Sequence, residues 1–178
     1  AGGAARAVVY GLLKAGIEEI TVLNRTPDRA VALVKDLQHG PARAALDGSG
    51  TLRVEALTPK ALVTTTRSAD LLVNATTLGM WPAVAGSIWP EALPVPEHLV
   101  VYDLVYNPLE TRLLRQAQAS GARTIDGLGM LVRQGVLALS YWLDTSFDVE
   151  AVGALMRRVC LDRLDEARRG SVEPEMVE

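Results

Sequence analysis

Ala1-Gly2-Gly3-Ala4-Ala5-Arg6 runs straight into an apolar helical pattern, and Ile20-Thr21-Val22-Leu23-Asn24-Arg25-Thr26 follows. Gly2 lets the backbone approach a bulky anion with no Cβ in the way, and the small Ala5 lets the helix press on a sheet. The free N–H groups at the helix N-terminus, where the dipole is positive, then face that anion. One more glycine ahead of Ala1 would complete G-x-G-x-x-A, the dinucleotide fingerprint. Adjacent glycines alone are common in loops. Their place before an apolar helix and then a strand is what makes them a phosphate-binding turn.

The end of that strand selects the dinucleotide. An NAD site places Asp or Glu about 20 residues after the turn, on the ribose 2′-hydroxyl. Here Asn24 occupies the region, with Arg25 beside it and Arg29 one helical turn on. A carboxylate would repel a 2′-phosphate, whereas guanidiniums bind one through charge-assisted, often bidentate bonds. The expectation is NADP; the competing reading leaves Arg25 and Arg29 as solvated surface charges.

Composition agrees with a soluble cofactor domain. The chain has 178 residues, 49% apolar and only 4% aromatic, a mixture suited to helices on a Val/Leu-rich sheet. A net charge of −3 and no basic run argue against nucleic acid. No apolar run approaches the ~20 residues of a membrane span. The single cysteine, Cys160, excludes an internal disulfide, fits a reducing compartment and reads as a buried helix residue. A cytoplasmic location is expected. His39 and His98 have no Cys or His neighbours at ligand spacing, so no metal site is expected. Lys14, Lys35 and Lys60 read as surface residues.

Strand and helix patterns alternate. Helices are expected over Gly3–Ala15, Pro27 to about Leu37, from Pro59 through Leu62, Thr111–Ser120, Leu128–Leu143 and Val149–Arg169. Strands are expected over Ile20–Leu23, Leu52–Leu57, Asp70–Asn74, Leu99–Leu104 and Thr124–Ile125. Gly40–Gly50 reads as loop, and the prolines between Trp81 and Glu97 oppose regular structure. The fold class is α/β: a Rossmann-type doubly wound parallel sheet with helices on both faces and its first strand truncated. In the strand order 3-2-1-4-5-6 that strand would lie mid-sheet, so two inner edges would be left open. The expected division is a nucleotide-binding domain over 1–145, an amphipathic helix over 146–170 and a polar tail over 171–178.

These residues resemble a family. Gly2-Gly3-Ala4-Ala5-Arg6, Asn24-Arg25-Thr26-Pro27-Asp28-Arg29 and Asn74-Ala75-Thr76-Thr77-Leu78-Gly79-Met80 are similar to the NADP domain of shikimate dehydrogenases. Tyr102-Asp103-Leu104-Val105-Tyr106-Asn107-Pro108 and Asp126-Gly127-Leu128-Gly129-Met130-Leu131-Val132-Arg133-Gln134-Gly135 extend the resemblance in family order. The last two blocks are the more specific.

The resemblance implies that Ala1, Gly2, Gly3 and Ala4 hold the pyrophosphate, and that Asn24, Arg25, Thr26 and Arg29 surround the 2′-phosphate. It implies Asn74 and Thr76 beside the cofactor, with Leu104 and Gly127 at its nicotinamide end. It implies Tyr106 and Gln134 on the substrate, shikimate or 3-dehydroshikimate. Read from the residues alone, Tyr106 is open to a packing role beside Pro108, and Gln134 to a solvent-facing one.

In the family the general acid/base lysine and its aspartate belong to an N-terminal substrate domain. No residue here is expected to replace them, and the chain alone is expected to be inactive. The implied reaction is reversible, NADP-dependent reduction of 3-dehydroshikimate in chorismate biosynthesis. The alternatives are a quinate-using relative, a reductase such as glutamyl-tRNA reductase, and a non-catalytic NADP-sensing module. A homodimer is left open.

Overall fold

The computed structural model describes residues 1–40, 50–143 and 146–170. Most of the expected Gly40–Gly50 loop and the polar tail over 171–178 lie outside the described residues. The chain order is α1 (Gly3–Lys14), β1 (Glu19–Asn24), α2 (Pro27–His39), β2 (Thr51–Ala56), α3 (Pro59–Thr66) and β3 (Leu71–Asn74). Then come β4 (Val100–Asp103), α4 (Arg112–Ala119), β5 (Arg123–Ile125), α5 (Leu128–Trp142) and α6 (Val149–Gly170).

Local chemistry sets many of these boundaries. After α1 the chain reverses through Gly16 at φ 81°, a left-handed conformation suited to glycine. Thr58 and Thr111 stand at helix N-caps and accept hydrogen bonds from Ala61 N (3.1 Å) and Leu114 N (3.3 Å). Thr26 also holds an N-cap position, but its hydroxyl makes no cap bond, so Pro27 in the first turn starts α2 without it. Between β3 and β4 the proline-rich stretch folds irregularly, as expected, and buries Trp89 and Val95.

Every strand pairing is parallel, and up to α5 strands alternate with helices except between β3 and β4, which an irregular stretch joins. The expectation of an α/β fold with parallel strands therefore holds, and among the described residues the strands form two sheets, as the two expected open inner edges require. One is β1–β2, with Val22 opposite Val54; the other is β3–β4–β5, with Asn74 opposite Asp103. β1 and β3 each keep one edge without a strand neighbour.

Two cores correspond to the two sheets. α1 and α2 bury Val9, Leu13, Leu33 and Leu37 around Val22, while Leu62, Leu72, Leu99, Val101 and Leu113 pack around β3 and β4. Leu23 and Leu57, partly buried, join the second core from the β1–β2 side.

α6 packs on α5 rather than on a sheet. A Cβ on Gly135 would stand 3.2 Å from Met156 Sδ, so the two helices meet closely there. Val149, Leu155 and Val159 are exposed, as are Tyr141 and Trp142 at the end of α5. Cys160, expected to be buried, is only partly so.

An open strand edge is a row of unpaired N–H and C=O groups, and Leu71-Leu72-Val73 on β3 carries no charge to discourage pairing. The 178-residue chain in isolation is therefore expected to self-associate. Sedimentation velocity over a concentration series tests this, and a monomer with one cooperative unfolding transition would count against it.

Candidate nucleotide-binding site and the residues that build it

At the start of α1, Gly2 is the N-cap and no side chain caps the helix, so its first N–H groups stay open. A Cβ on Gly2 or Gly3 would meet nothing within 4 Å. Internal packing therefore does not require glycine there, and the space lies outside the fold. Ala5 is packed against the core beneath, as a small residue at that position allows.

The turn meets the end of β1 directly. The Ala1 nitrogen donates to Asn24 Oδ1, and Asn24 Nδ2 donates to the Thr26 carbonyl at 2.7 Å. Arg25, Thr26 and Arg29 are exposed, and among the described residues no ion pair engages either arginine. Arg6, by contrast, is already paired with Asp36 at 2.7 Å. An open helix N-terminus beside two uncommitted guanidiniums is an arrangement that binds phosphate.

A second group lies at the carboxyl ends of β3 and β4. Asn74 and Asp103 are 1% and 0% exposed, and Asn74 Nδ2 donates to Asp103 Oδ1 at 2.9 Å. Asn74 Oδ1 accepts from Thr76 N (3.1 Å) and Thr76 Oγ1 (2.7 Å). Asp103 also accepts from Val105 N (3.0 Å) and Thr111 Oγ1 (2.7 Å). Burial pushes the Asp103 carboxyl above the usual carboxylate range, opposed by bonds from Thr111, Val105 and Asn74. The Asn74 amide is thus spent inside the protein, and it acts by shaping the loop that carries exposed Thr76. Trp81 N donates to the Asn107 carbonyl at 2.9 Å, tying this loop to the one after β4.

Leu104 is buried behind β4, and its N–H donates to the Asn74 carbonyl at 3.1 Å. Gly127 backs it: a Cβ there would stand 2.4 Å from the Leu104 carbonyl oxygen and 2.7 Å from that of Val105. Tyr106 emerges from this clamp exposed. Gln134 is also exposed, on α5, in a groove lined by Ala7, Tyr102, Met130, Arg133 and Tyr141. Burial, then Asp126, push the Tyr102 phenol upward against the opposing pull of Arg133. Asn74, Thr76, Leu104 and Gly127 thus form one connected unit with Tyr106 at its rim, while Gln134 lines a separate groove whose walls do not include Tyr106. The residues that sequence reasoning left without a role are Asp103 and Thr111. The available signal was a charged residue closing the apolar strand Val100-Val101-Tyr102.

No protein-family model matches the chain. It is similar to the shikimate dehydrogenase (NADP(+)) of Methanosarcina acetivorans, 43% identical over 164 residues, covering 92% of this chain and 54% of that protein. Its structure is similar to that of a Thermus thermophilus shikimate 5-dehydrogenase in complex with NADP(H) and shikimate. That match has a TM-score of 0.66 at 39% identity, over 88% of this chain and 52% of the other. Over the length it spans, the chain is similar to shikimate dehydrogenases. A Corynebacterium glutamicum quinate dehydrogenase in complex with NAD is also similar, with a TM-score of 0.73 at 31% identity over 91% of this chain and 52% of that one. The chain spans about half the length of the curated shikimate dehydrogenases it matches.

Two outcomes follow from the clamp. Gly127 has an ordinary φ of −79°, so Gly127→Ala meets only the carbonyls behind it; overpacking there is expected to cost about 1–3 kcal/mol. Denaturant titration checks this, and an unchanged midpoint would mean that the loop yields. Asp103 has a folded pKa above its unfolded one, so between the two values the native state keeps a proton that the unfolded chain has lost, and above both it is ionised. The stability this confers is fully present below about pH 4, the unfolded value. It is lost as pH rises through the raised folded value. Unfolding free energies of wild type and Asp103→Asn across that window should differ by this slope; parallel curves would rule it out.

Proposed function

We propose that this chain is the cofactor-binding half of an NADP-dependent dehydrogenase interconverting 3-dehydroshikimate and shikimate. The observation that carries the cofactor is the pair of uncommitted guanidiniums, Arg25 and Arg29, beside an open helix N-terminus, with Asn24 where an NAD site has a carboxylate. The fit is supported by the open space over Gly2 and Gly3.

In this reading Gly2, Gly3 and Ala4 offer backbone N–H groups to the pyrophosphate, with Ala1 at the turn. Asn24, Arg25, Thr26 and Arg29 hold the 2′-phosphate. Bound NADP supplies the hydride chemistry at its nicotinamide ring. Leu104, backed by Gly127, limits where that ring lies, and Thr76 borders it on the Asn74 side. Tyr106 and Gln134, both exposed, offer a phenol and an amide to the substrate's carboxylate and hydroxyl groups. The groups that move the proton lie, by the family resemblance, outside these 178 residues. This half binds and orients.

The relative in complex with NAD makes quinate oxidation with NAD the second reading. Arg25 and Arg29 favour the first. The test is substrate-dependent reduction by the full-length protein of NADP and NAD, each with shikimate and quinate. Turnover with shikimate and NADP above the other pairs supports the proposal; preference for quinate and NAD overturns it. NADP binding without turnover by any pair would favour a sensing module. Loss of one charged hydrogen bond is worth about 1.5–3 kcal/mol, so Arg25→Asp should weaken NADP by roughly 10- to 100-fold and leave NAD nearly unchanged. Equal effects on both, read by calorimetry, would remove Arg25 from the 2′-phosphate.

A further inference from the structure

We propose that Asp103 is a positioning residue, whose carboxylate sets where Leu104, Val105 and Tyr106 stand at the reacting end of the site. This rests on the reading of Leu104 and Tyr106 given above. Asp103 is wholly buried, so it acts through its partners rather than on a ligand.

Its three bonds come from three different pieces of chain. Val105 N–H, in the Leu104–Val105 peptide, donates to Oδ1 at 3.0 Å. Thr111 Oγ1, the cap of α4, donates to Oδ2 at 2.7 Å. Asn74 Nδ2 donates to Oδ1 at 2.9 Å, while Asn74 Oδ1 holds Thr76. The loop after β4 is therefore tethered at residues 105 and 111 to one carboxylate, with Tyr106 between the tethers. From the other side, Gly127 leaves no room for Leu104 or Val105 to retreat.

A hydrophobic residue at 103 could fill the strand end, but it would orphan a buried amide, hydroxyl and backbone N–H at once. A buried charge is a costly way to close an apolar strand. All three of its contacts are donors, and an ionised carboxylate is acceptor-only, so it satisfies them together. The arrangement adds fixed points to a loop otherwise held by the backbone bonds of Leu104 and Asn107, and such placement governs rate more than affinity.

The test compares Asp103→Ala and Asp103→Asn in the full-length protein. Asn keeps Oδ1 for Asn74 and Val105 and turns Nδ2 to the Thr111 hydroxyl, so it retains the tethers and also serves if the alanine variant fails to fold. With misplacement by about 1 Å worth roughly 100-fold, Asp103→Ala should lower kcat by about that factor, leave the Kd for NADP within about threefold, and be largely rescued by Asn. Hydrogen exchange should show protection lost over 104–111 and kept in β1 and β2. Unchanged kcat, NADP affinity falling in step with kcat, or Asn as impaired as Ala would each overturn the proposal. If the wild-type protein shows no turnover with shikimate and NADP, the functional reading fails and the exchange data decide alone. Loss confined to 104–111 then upholds the tether, and loss across β3, β4 and β5 overturns it.

Discussion

A carboxylate removed from water must find donors, and the carboxyl-end side of this molecule is organised around that requirement. Parallel pairing sets Asn74 opposite Asp103 at the ends of neighbouring strands. That register lets an amide on one strand donate to the carboxylate on the next. The same carboxylate then reaches the loop behind it and the cap of α4. Among the described residues no buried side-chain polar atom lacks a partner, so the desolvation cost is met locally. The loops after β3 and β4 take their course from these bonds.

The two ends of the site use opposite electrostatic strategies. At the end of β1 the arginines stay exposed and uncommitted, and the backbone N–H groups of α1 are open. At the ends of β3 and β4 the polar groups are buried and fully committed to each other. The first end presents positive charge and open N–H groups to solution. At the second, Leu104 and Gly127 form a wall and Tyr106 stands clear of it.

Much of this was legible in the sequence because it depends on short-range chemistry. The glycine turn, the buried strands and the starts of α3 and α4 at Thr58 and Thr111 need only neighbouring residues to be recognised. Side-chain direction was not legible in the same way. Asn74, expected beside the cofactor, turns its amide inward because Asp103, 29 positions later, needs a donor. Nothing near Asn74 in the chain announces that partner. Thr26 sits at the start of α2 without capping it, since its hydroxyl is a choice among rotamers rather than a consequence of residue type. The separation of the strands into two sheets was legible, by contrast, as the two open inner edges expected of the strand order.

The two cores have a consequence for how the molecule opens. One draws on Val9 to Leu37 with Leu52 and Val54, the other on Leu62 to Ala122, so each is nearly continuous in sequence. Among the described residues no strand ladder joins β1 to β3. Proteins built this way open in cooperative blocks of unequal free energy rather than all at once. The arginine-bearing segment and the Tyr106-bearing segment belong to different cores, which meet where Leu23 and Leu57 pack on the second. A ligand that spans both would act as a molecular splint, joining two separate melting events into one.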